Sequence, residues 1–337
     1  MTVSVVIPCR DEERNIRECI EAIYASELSG GDDIEVLVID GMSTDGTPQE
    51  VEKLQSQYPN LRLIPNALRV TPVAFNIGIR ESRGEYIQLV GARHIISRDY
   101  LKEARRILEN DPRIWCVGGR VVNVYQNEES EIIGLAMASS FGVGVGNFRV
   151  LQRSGYVDTV GTPMYRRSVF DQIGLFNEVL IRNQDDELNY RITANGGRIY
   201  LNTDVRIRYY VRAKVSNLFT QYFQYGYWKV YVNKLHNTVT SARQLVPLCF
   251  VLGLFIGFLL SLFVPFVTWT YLLGIAFYAL MSVVFGVSSA ESLGKGLRVA
   301  TIFPVLHVAY GWGYLKGIID FVFLNRRPAS AAVRLSR

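Results

Sequence analysis

Four short polar segments hold the side chains best placed to do chemistry. Arg10-Asp11-Glu12-Glu13, the stretch from Asp40 to Asp45, and Gly91-Ala92-Arg93-His94 each follow an apolar run, while Asp185-Asp186-Glu187 opens a helical one. Carboxylates in such places take up a proton or accept hydrogen bonds from a ligand, and a guanidinium suits phosphate geometry. Each segment has a plainer alternative. Asp40-Gly41 also reads as a turn, Arg93 as a surface arginine, and the acidic triplet as a solvated helix start favoured by the helix dipole. The four cysteines (Cys9, Cys19, Cys116, Cys249) show no C-x-x-C spacing, and none of the three histidines sits at metal-ligand spacing. Both facts argue against a disulfide scaffold or a Cys/His zinc site.

The elements that must position these segments alternate at short intervals. Apolar strands are predicted over 3–7, 34–39, 61–64 and 86–90, and helices over 14–25, 48–58, 73–80 and 100–108. Continuous apolar strands between helices are the pattern of a parallel sheet covered on both faces, and such sheets bind ligands past the carboxyl ends of their strands. The polar turns fall at those ends. From 114 onward longer mixed strands are expected, with a glycine-rich loop over 142–147. Residues 165–176 read as a strand end, a short helix and a turn, 185–194 as a helix, and 199–211 as a returning strand.

Of 337 residues 49% are hydrophobic and 20% charged, which excludes a disordered chain. The net charge of +5 conceals an asymmetry: 22 basic against 29 acidic residues over 1–204, then seven basic and no acidic residues over 205–245. The basic belt carries many aromatics, among them Phe219, Tyr222, Phe223, Tyr225, Tyr227, Trp228 and Tyr231, and this suits a membrane surface rather than nucleic acid. From Val246 to Ala290 no residue is charged, 45 positions in a row, enough for about two helical crossings of roughly 20 residues each. Spans are expected near 246–263 and 269–287. A third apolar stretch, 299–324, holds Pro304, His307, Lys316 and Asp320. It crosses, re-enters or lies in the interface, and the arginines at 326, 327, 334 and 337 favour a non-crossing segment with the tail in the cytoplasm. No secretory leader is read at the start, so the acidic half is expected in the cytoplasm.

Against this background several motifs resemble family 2 inverting glycosyltransferases of the GT-A fold. Val5-Val6-Ile7-Pro8-Cys9-Arg10-Asp11-Glu12-Glu13 is similar to their VVIPxxNEE opening, and the stretch from Val38 to Thr47 to their second signature. Phe75-Asn76-Ile77-Gly78-Ile79 and Arg83-Gly84-Glu85-Tyr86-Ile87 are similar to their N-x-G-I and R-G-E-Y-I segments. The stretch from Gly161 to Glu178 resembles RRxxFxxxGxFxE, and Asn183-Gln184-Asp185-Asp186-Glu187-Leu188 the E-D-x-E/D-L motif of the catalytic base. Segments 224–229 and 307–313 resemble membrane-bound members that build bacterial exopolysaccharides, the succinoglycan glucosyltransferase type among them.

The resemblance implies a GT-A nucleotide-sugar-binding, Rossmann-like α/β domain over 1–215, an interfacial amphipathic helix over 216–243, a transmembrane region over 244–324 and a basic tail over 325–337. It implies an enzyme of the inner membrane, multi-pass, with a cytoplasmic catalytic domain. That enzyme would move a sugar from a nucleotide-diphosphate donor, UDP-linked by expectation, to a lipid-linked saccharide in polysaccharide biosynthesis. A polyprenyl-phosphate glycosyltransferase and a non-catalytic subunit of a polysaccharide assembly complex are the alternatives. By the same resemblance Asp185 is the base, with Asp186 its one-residue alternative. Pro8, Arg10, Glu12, Asp40, Arg69, Gly91 and Arg93 bind the donor, and Thr162, Gln224 and Trp228 lie on the acceptor side.

The chain departs from the family at the D-x-D motif, whose aspartate ligates Mg²⁺ or Mn²⁺ on the diphosphate. Here Gly91 and Arg93 occupy those positions. Three readings stay open: Arg93 supplies the positive charge in place of the metal, a metal binds through the phosphates and other residues with His94 as a ligand, or the site is inactive.

Overall fold

A computed structural model of the chain describes residues 3–28, 34–144, 148–211, 214–240, 242–326 and 328. In chain order its elements are β1 (Val3–Cys9), α1 (Ile16–Tyr24), β2 (Ile34–Asp40), α2 (Thr47–Gln55), β3 (Leu61–Pro65), α3 (Thr71–Glu81), β4 (Tyr86–Leu89), β5 (His94–Ile96), α4 (Tyr100–Asn110), β6 (Ile114–Val124), α5 (Glu128–Met137) and α6 (Ser140–Val143). There follow β7 (Gly155–Tyr156), β8 (Gly161–Arg166), α7 (Arg167–Ile173), α8 (Gln184–Ala194), β9 (Arg198–Tyr210), α9 (Val215–Leu235), α10 (Leu245–Ser261), α11 (Pro265–Ser288) and α12 (Leu293–Gly317). The chain forms two compact units, Met1–Val124 with Leu151–Tyr210, and Tyr125–Val150 with Val211–Arg337.

The first unit is built on one sheet with strand order β3-β2-β1-β4-β8-β6-β9-β5, β7 pairing with β9. β3, β2, β1 and β4 run parallel, with Val5 opposite both Val36 and Gln88. The interior residues of β1, β2 and β4 are buried on both faces, as the continuous apolar runs require, while those of the edge strand β3 are half-buried. α1 covers one face through Ile16, Cys19, Ile20 and Ile23, the i, i+3, i+4, i+7 stripe of an amphipathic helix. Each fully buried isoleucine contributes about 2 kcal/mol. α3 comes so close to β1 that a Cβ on Gly78 would lie 2.2 Å from Val6 Cγ1, so only glycine fits there. Past β4 the sheet turns mixed. β8 is antiparallel to both β4 and β6, and β6 is parallel to β9. The expected mixed strands are therefore β6, β8 and β9, but 128–143 is mostly helical. Asn127 caps α5 in a reciprocal box with Ser130, and three glutamates fill its first turn, which outweighs the strand-like look of Ile132-Ile133. Of the expected loop over 142–147, residues 145–147 lie outside the described residues.

In the second unit α10 and α11 form a hairpin whose turn falls at 262–264, one step earlier than the expected split, because Pro265 suits the first position of a helix rather than a linker. Two segments, Ala242–Ser261 and Pro265–Ser288, are long and apolar enough to cross a membrane. They are not core helices: only Leu248, Val251, Ser282 and Gly286 are buried on α10 and α11, while Phe263 and Phe266 at the turn are 81% and 76% exposed. α12 is the buried helix of this unit, and a turn of π-helix, Ile318–Phe323, continues it. It packs closely on α9, where Cβ atoms on Gly226 and Gly313 would strike the backbone of Tyr310 and Phe223.

Candidate active site

Two loops at the carboxyl ends of β1 and β2 are laced together by short polar side chains. The Asp11 N–H donates to Ser43 Oγ (2.9 Å), and Asp11 Oδ1 accepts from the Thr44 N–H (2.8 Å). The Glu12 N–H donates to Thr47 Oγ1 (2.8 Å), and the Glu13 N–H to Asp45 Oδ2 (3.3 Å). Burial alone would raise the Asp45 carboxyl, but hydrogen bonds from the Thr47 hydroxyl and from the Thr47 and Glu13 N–H groups outweigh it, holding Asp45 below the ordinary carboxylate range. Asp40, the last residue of β2, is buried and accepts from the Ser43 N–H at 3.0 Å and from the Ser43 hydroxyl. Pro8 is half-buried in β1, and Arg10 lies over Gly41. Arg69 stands exposed in the turn after β3.

The loop after β4 joins this edge. Arg93 Nε lies 2.8 Å from both Oε1 and Oε2 of Glu12, and Glu12 Oε2 also accepts from Asn15 Nδ2 (2.8 Å). His94 Nδ1 is 3.0 Å from Thr162 Oγ1. Thr162 opens β8, so antiparallel pairing brings it to the same end of the sheet as the exit of β4. Its carbonyl accepts from Gln88 Nε2 (2.8 Å) and from the Tyr100 hydroxyl (2.7 Å), which in turn accepts from the Gly119 N–H. Just before β8, Thr159 Oγ1 accepts from Asn189 Nδ2 of α8 (3.0 Å). Link by link, the ends of β1, β2 and β4, the start of β8 and the helix α8 converge.

At the start of α8 Asp185 is exposed, whereas Asp186 is half-buried and accepts from Asn183 Nδ2 (3.1 Å). Burial, then Cys116 and the charge of Asp185, raise the buried Tyr165 hydroxyl well above its ordinary value. Glu187 turns away into an ion pair with Arg191 (2.8 Å), whose guanidinium also donates to carbonyls around Gly174. Backbone strain gathers here. Of seven non-glycine residues with positive φ among the described residues, Asp11, Met42, Arg69, Thr162 and Asn183 all belong to these loops. For the β-branched Thr162 (φ 51°) that conformation is costly, and such residues cluster at functional sites.

Gln224 and Trp228 lie in the second unit, both buried on α9. Not every motif residue belongs to the chemistry. Asn76 ties α3 to the loop after α7, donating to the Phe176 carbonyl (2.9 Å) and to Glu178 Oε1 (2.8 Å). Sequence reasoning missed the Tyr100 bridge and the Glu12–Arg93 pair. A buried tyrosine hydroxyl demands a partner, which was the only available signal for the first. The second had none beyond opposite charge, since its partners are 81 residues apart.

The resemblance to GT-A enzymes brings with it the expectation of a divalent metal. Carboxylate oxygens are what Mg²⁺ and Mn²⁺ take. The end of β4 offers instead Gly91, which has no donor, and Arg93, a cation. His94 turns Nδ1 to Thr162, and no group of three His, Cys, Asp or Glu suited to a metal occurs among the described residues. This donor set does not fit such an ion.

Comparison with known proteins agrees with the fold. Residues 4–174, about half of the chain, match the family profile described as Glycosyl transferase family 2. The succinoglycan biosynthesis protein ExoA of Rhizobium meliloti (strain 1021) is 28% identical over 327 residues, covering 94% of this chain and 95% of that protein. The dolichyl N-acetyl-alpha-D-glucosaminyl phosphate 3-beta-D-2,3-diacetamido-2,3-dideoxy-beta-D-glucuronosyltransferase of Methanococcus voltae is 28% identical over 231 residues, 66% of this chain and 71% of that enzyme. Among solved structures, the mannosyltransferase PcManGT from Pyrobaculum calidifontis, in complex with GDP-Man and Mn²⁺, superposes with a TM-score of 0.61 at 18% identity, over 92% of this chain and 87% of that one.

Proposed function

This chain belongs to glycosyl transferase family 2 and is a glycosyltransferase of the GT-A fold, and we propose that it transfers a sugar from a nucleotide-diphosphate donor to a lipid-linked saccharide at the cytoplasmic face of the inner membrane. The observation that carries the acceptor class is the exposed apolar hairpin α10–α11, carried on the same chain as the glycosyltransferase sheet. An enzyme so anchored meets acceptors that themselves reside in the membrane. The names of the Methanococcus and Rhizobium relatives, one citing a dolichyl-linked sugar phosphate and the other succinoglycan biosynthesis, support the same class.

In this reading the donor's nucleoside sits over the laced loops, with Asp40 and Arg10 beneath it, Arg69 at its margin and Glu12 set back against Arg93. Asp185 takes the proton of the acceptor hydroxyl while that oxygen attacks the anomeric carbon. The bond from that carbon to the diphosphate oxygen breaks, its electron pair leaves with the diphosphate, and the configuration inverts. The exposure of Asp185, against the partial burial of Asp186, supports this choice of base. Thr162, Gln224 and Trp228 are the acceptor-side residues of this reading. The domain reading is a catalytic domain over 1–215, an interfacial helix over 216–243 and a membrane region over 244–324. The basic charge of 205–245 supports the cytoplasmic side for the catalytic unit.

The test is transfer of radiolabelled sugar, from UDP- and GDP-linked donors, by membranes containing the full chain. Label should enter an organic-extractable product larger than one sugar on a lipid. A single sugar on a bare lipid phosphate would instead identify a polyprenyl-phosphate glycosyltransferase, and label confined to water-soluble acceptors would refute the membrane acceptor.

A further inference from the structure

We infer that Glu12 is a positioning residue that holds Arg93 end-on, so that the free edge of its guanidinium receives the donor's diphosphate in the slot where the family keeps metal-binding carboxylates. The inference rests on the glycosyltransferase reading above and goes beyond it in naming what carries the leaving charge.

The geometry is specific. Glu12 meets Arg93 only through Nε, with both carboxylate oxygens at 2.8 Å. Among the described residues nothing accepts a hydrogen bond from either Nη of Arg93, so four N–H groups remain in the fork arrangement that matches two phosphate oxygens. Glu12 is itself held from two further directions, its carboxylate by Asn15 Nδ2 and its N–H by Thr47 Oγ1. The Arg93 side chain is 34% exposed and that of Glu12 14%. An ion pair at such a surface adds little stability, so the arrangement is better explained by what the open edge of the guanidinium can bind.

The chemistry needs a cation at this point. When the anomeric C–O bond breaks, negative charge grows on the diphosphate oxygen, and preorganised donors aimed at that charge lower the barrier. No proton moves to the leaving group in this step; Arg93 offers hydrogen bonds and a fixed positive charge. Glycine at 91 removes a metal ligand, and arginine at 93 replaces one with a charge that repels a divalent cation. The two substitutions act in the same direction.

The experiment is calorimetric titration of the full chain in detergent with UDP, UMP, GDP and GMP, in EDTA and in Mn²⁺. The preferred diphosphate should bind in EDTA within about threefold of its affinity in Mn²⁺. Arg93→Ala should weaken that diphosphate by about 10²-fold and leave the monophosphate nearly unchanged, with Arg93→Lys intermediate. Glu12→Gln should weaken the diphosphate by about tenfold and spare the monophosphate, a change in selectivity that a general loss of structure does not produce. Diphosphate binding that requires Mn²⁺, with Arg93→Ala equal to wild type, overturns the inference. Equal weakening of both nucleotides by Glu12→Gln overturns the role of Glu12, placing it against the nucleoside. If wild type binds no nucleotide in either buffer, the donor reading itself falls, and this inference with it.

Discussion

His94 Nδ1 and Thr162 Oγ1 lie 3.0 Å apart although 68 residues separate them in the chain. The contact closes the loop after β4 onto the start of β8, and it explains two oddities together. Thr162 keeps a left-handed backbone because its carbonyl is taken by Gln88 and Tyr100 and its hydroxyl by His94. Gly91 has no side chain where a Cβ would press against the His94 ring at 3.2 Å. A side chain at position 91 would therefore press on this placement of the His94 ring, which would have to shift slightly to admit it.

Asp185 is predicted to be the base. Asp185→Asn should reduce the transfer rate by about 10²–10⁴-fold with nucleotide affinity nearly unchanged, since a general base acts in the transition state and not on the bound nucleotide. Asp186→Asn should cost far less. Steady-state transfer assays on both variants decide the point. If Asp185→Asn kept more than about half the wild-type rate while Asp186→Asn was dead, the base would be the neighbour.

Gly78 belongs to a sequence motif but is predicted to act through packing alone. A Cβ there would drive α3 away from Val6 on β1. Overpacking of this kind costs about 1–3 kcal/mol. Gly78→Ala should thus lower the thermal midpoint by several degrees while the kcat of the folded fraction stays close to wild type. A normal midpoint with impaired kcat would move Gly78 into the chemistry.

Much of this could be read from residue pattern, because the first four strands are mostly apolar runs and α1 carries a clear stripe of Ile16, Ile20 and Ile23. The polar loops at the strand ends followed from that pattern. What could not be read was pairing at long range. Arg93 to Glu12 depends on β4 lying beside β1, Tyr100 to Gly119 on how β6 returns past α4, and Thr159 to Asn189 on how α8 returns to the start of β8, and no local spacing encodes those returns. α5 was hidden for a different reason: its apolar residues crowd into its second half instead of forming a spaced stripe, so capping and charge at its start, rather than periodicity, specify it.

Asp45 should make the laced loops sensitive to acid. Its folded-state pKa is lowered, so the stability it contributes is fully present above the ordinary carboxylate range and is lost as pH falls through the lowered value. Asp45→Asn cannot titrate. The gap in thermal midpoint between wild type and this variant should be largest near neutral pH and should shrink from about pH 5 downward. A gap that stayed constant from neutral pH to about pH 3 would show that the Asp45 charge is not what holds Thr47 and Glu13.

The last prediction concerns α12, which we expect not to cross the membrane. At its start Lys295 Nζ sits 2.9 Å from Glu131 Oε1 of α5, and a Cβ on Gly296 would strike Val287 in the last turn of α11. Towards its end Gly311 lies against Pro247 in the first turn of α10, and Gly313 against Phe223 of α9. The hairpin is antiparallel, with the rings of Phe250 and Tyr278 tilted against each other at 4.5 Å, so the first turn of α10 and the last turn of α11 are the same end of it. Both ends of α12 therefore adjoin that end, and none of these contacts reaches the turn at 262–264. Cysteine labelling can test this directly. Cys9, Cys19 and Cys116 are buried, and burial pushes their thiols up, so only the exposed Cys249 need be replaced by serine. In that background Ser292→Cys and Leu324→Cys should react with an impermeant maleimide only from the cytoplasmic side of vesicles, and Phe263→Cys only from the opposite side. Labelling of Ser292→Cys and Leu324→Cys from opposite faces would mean that α12 spans the bilayer and that the chain after residue 324 lies outside.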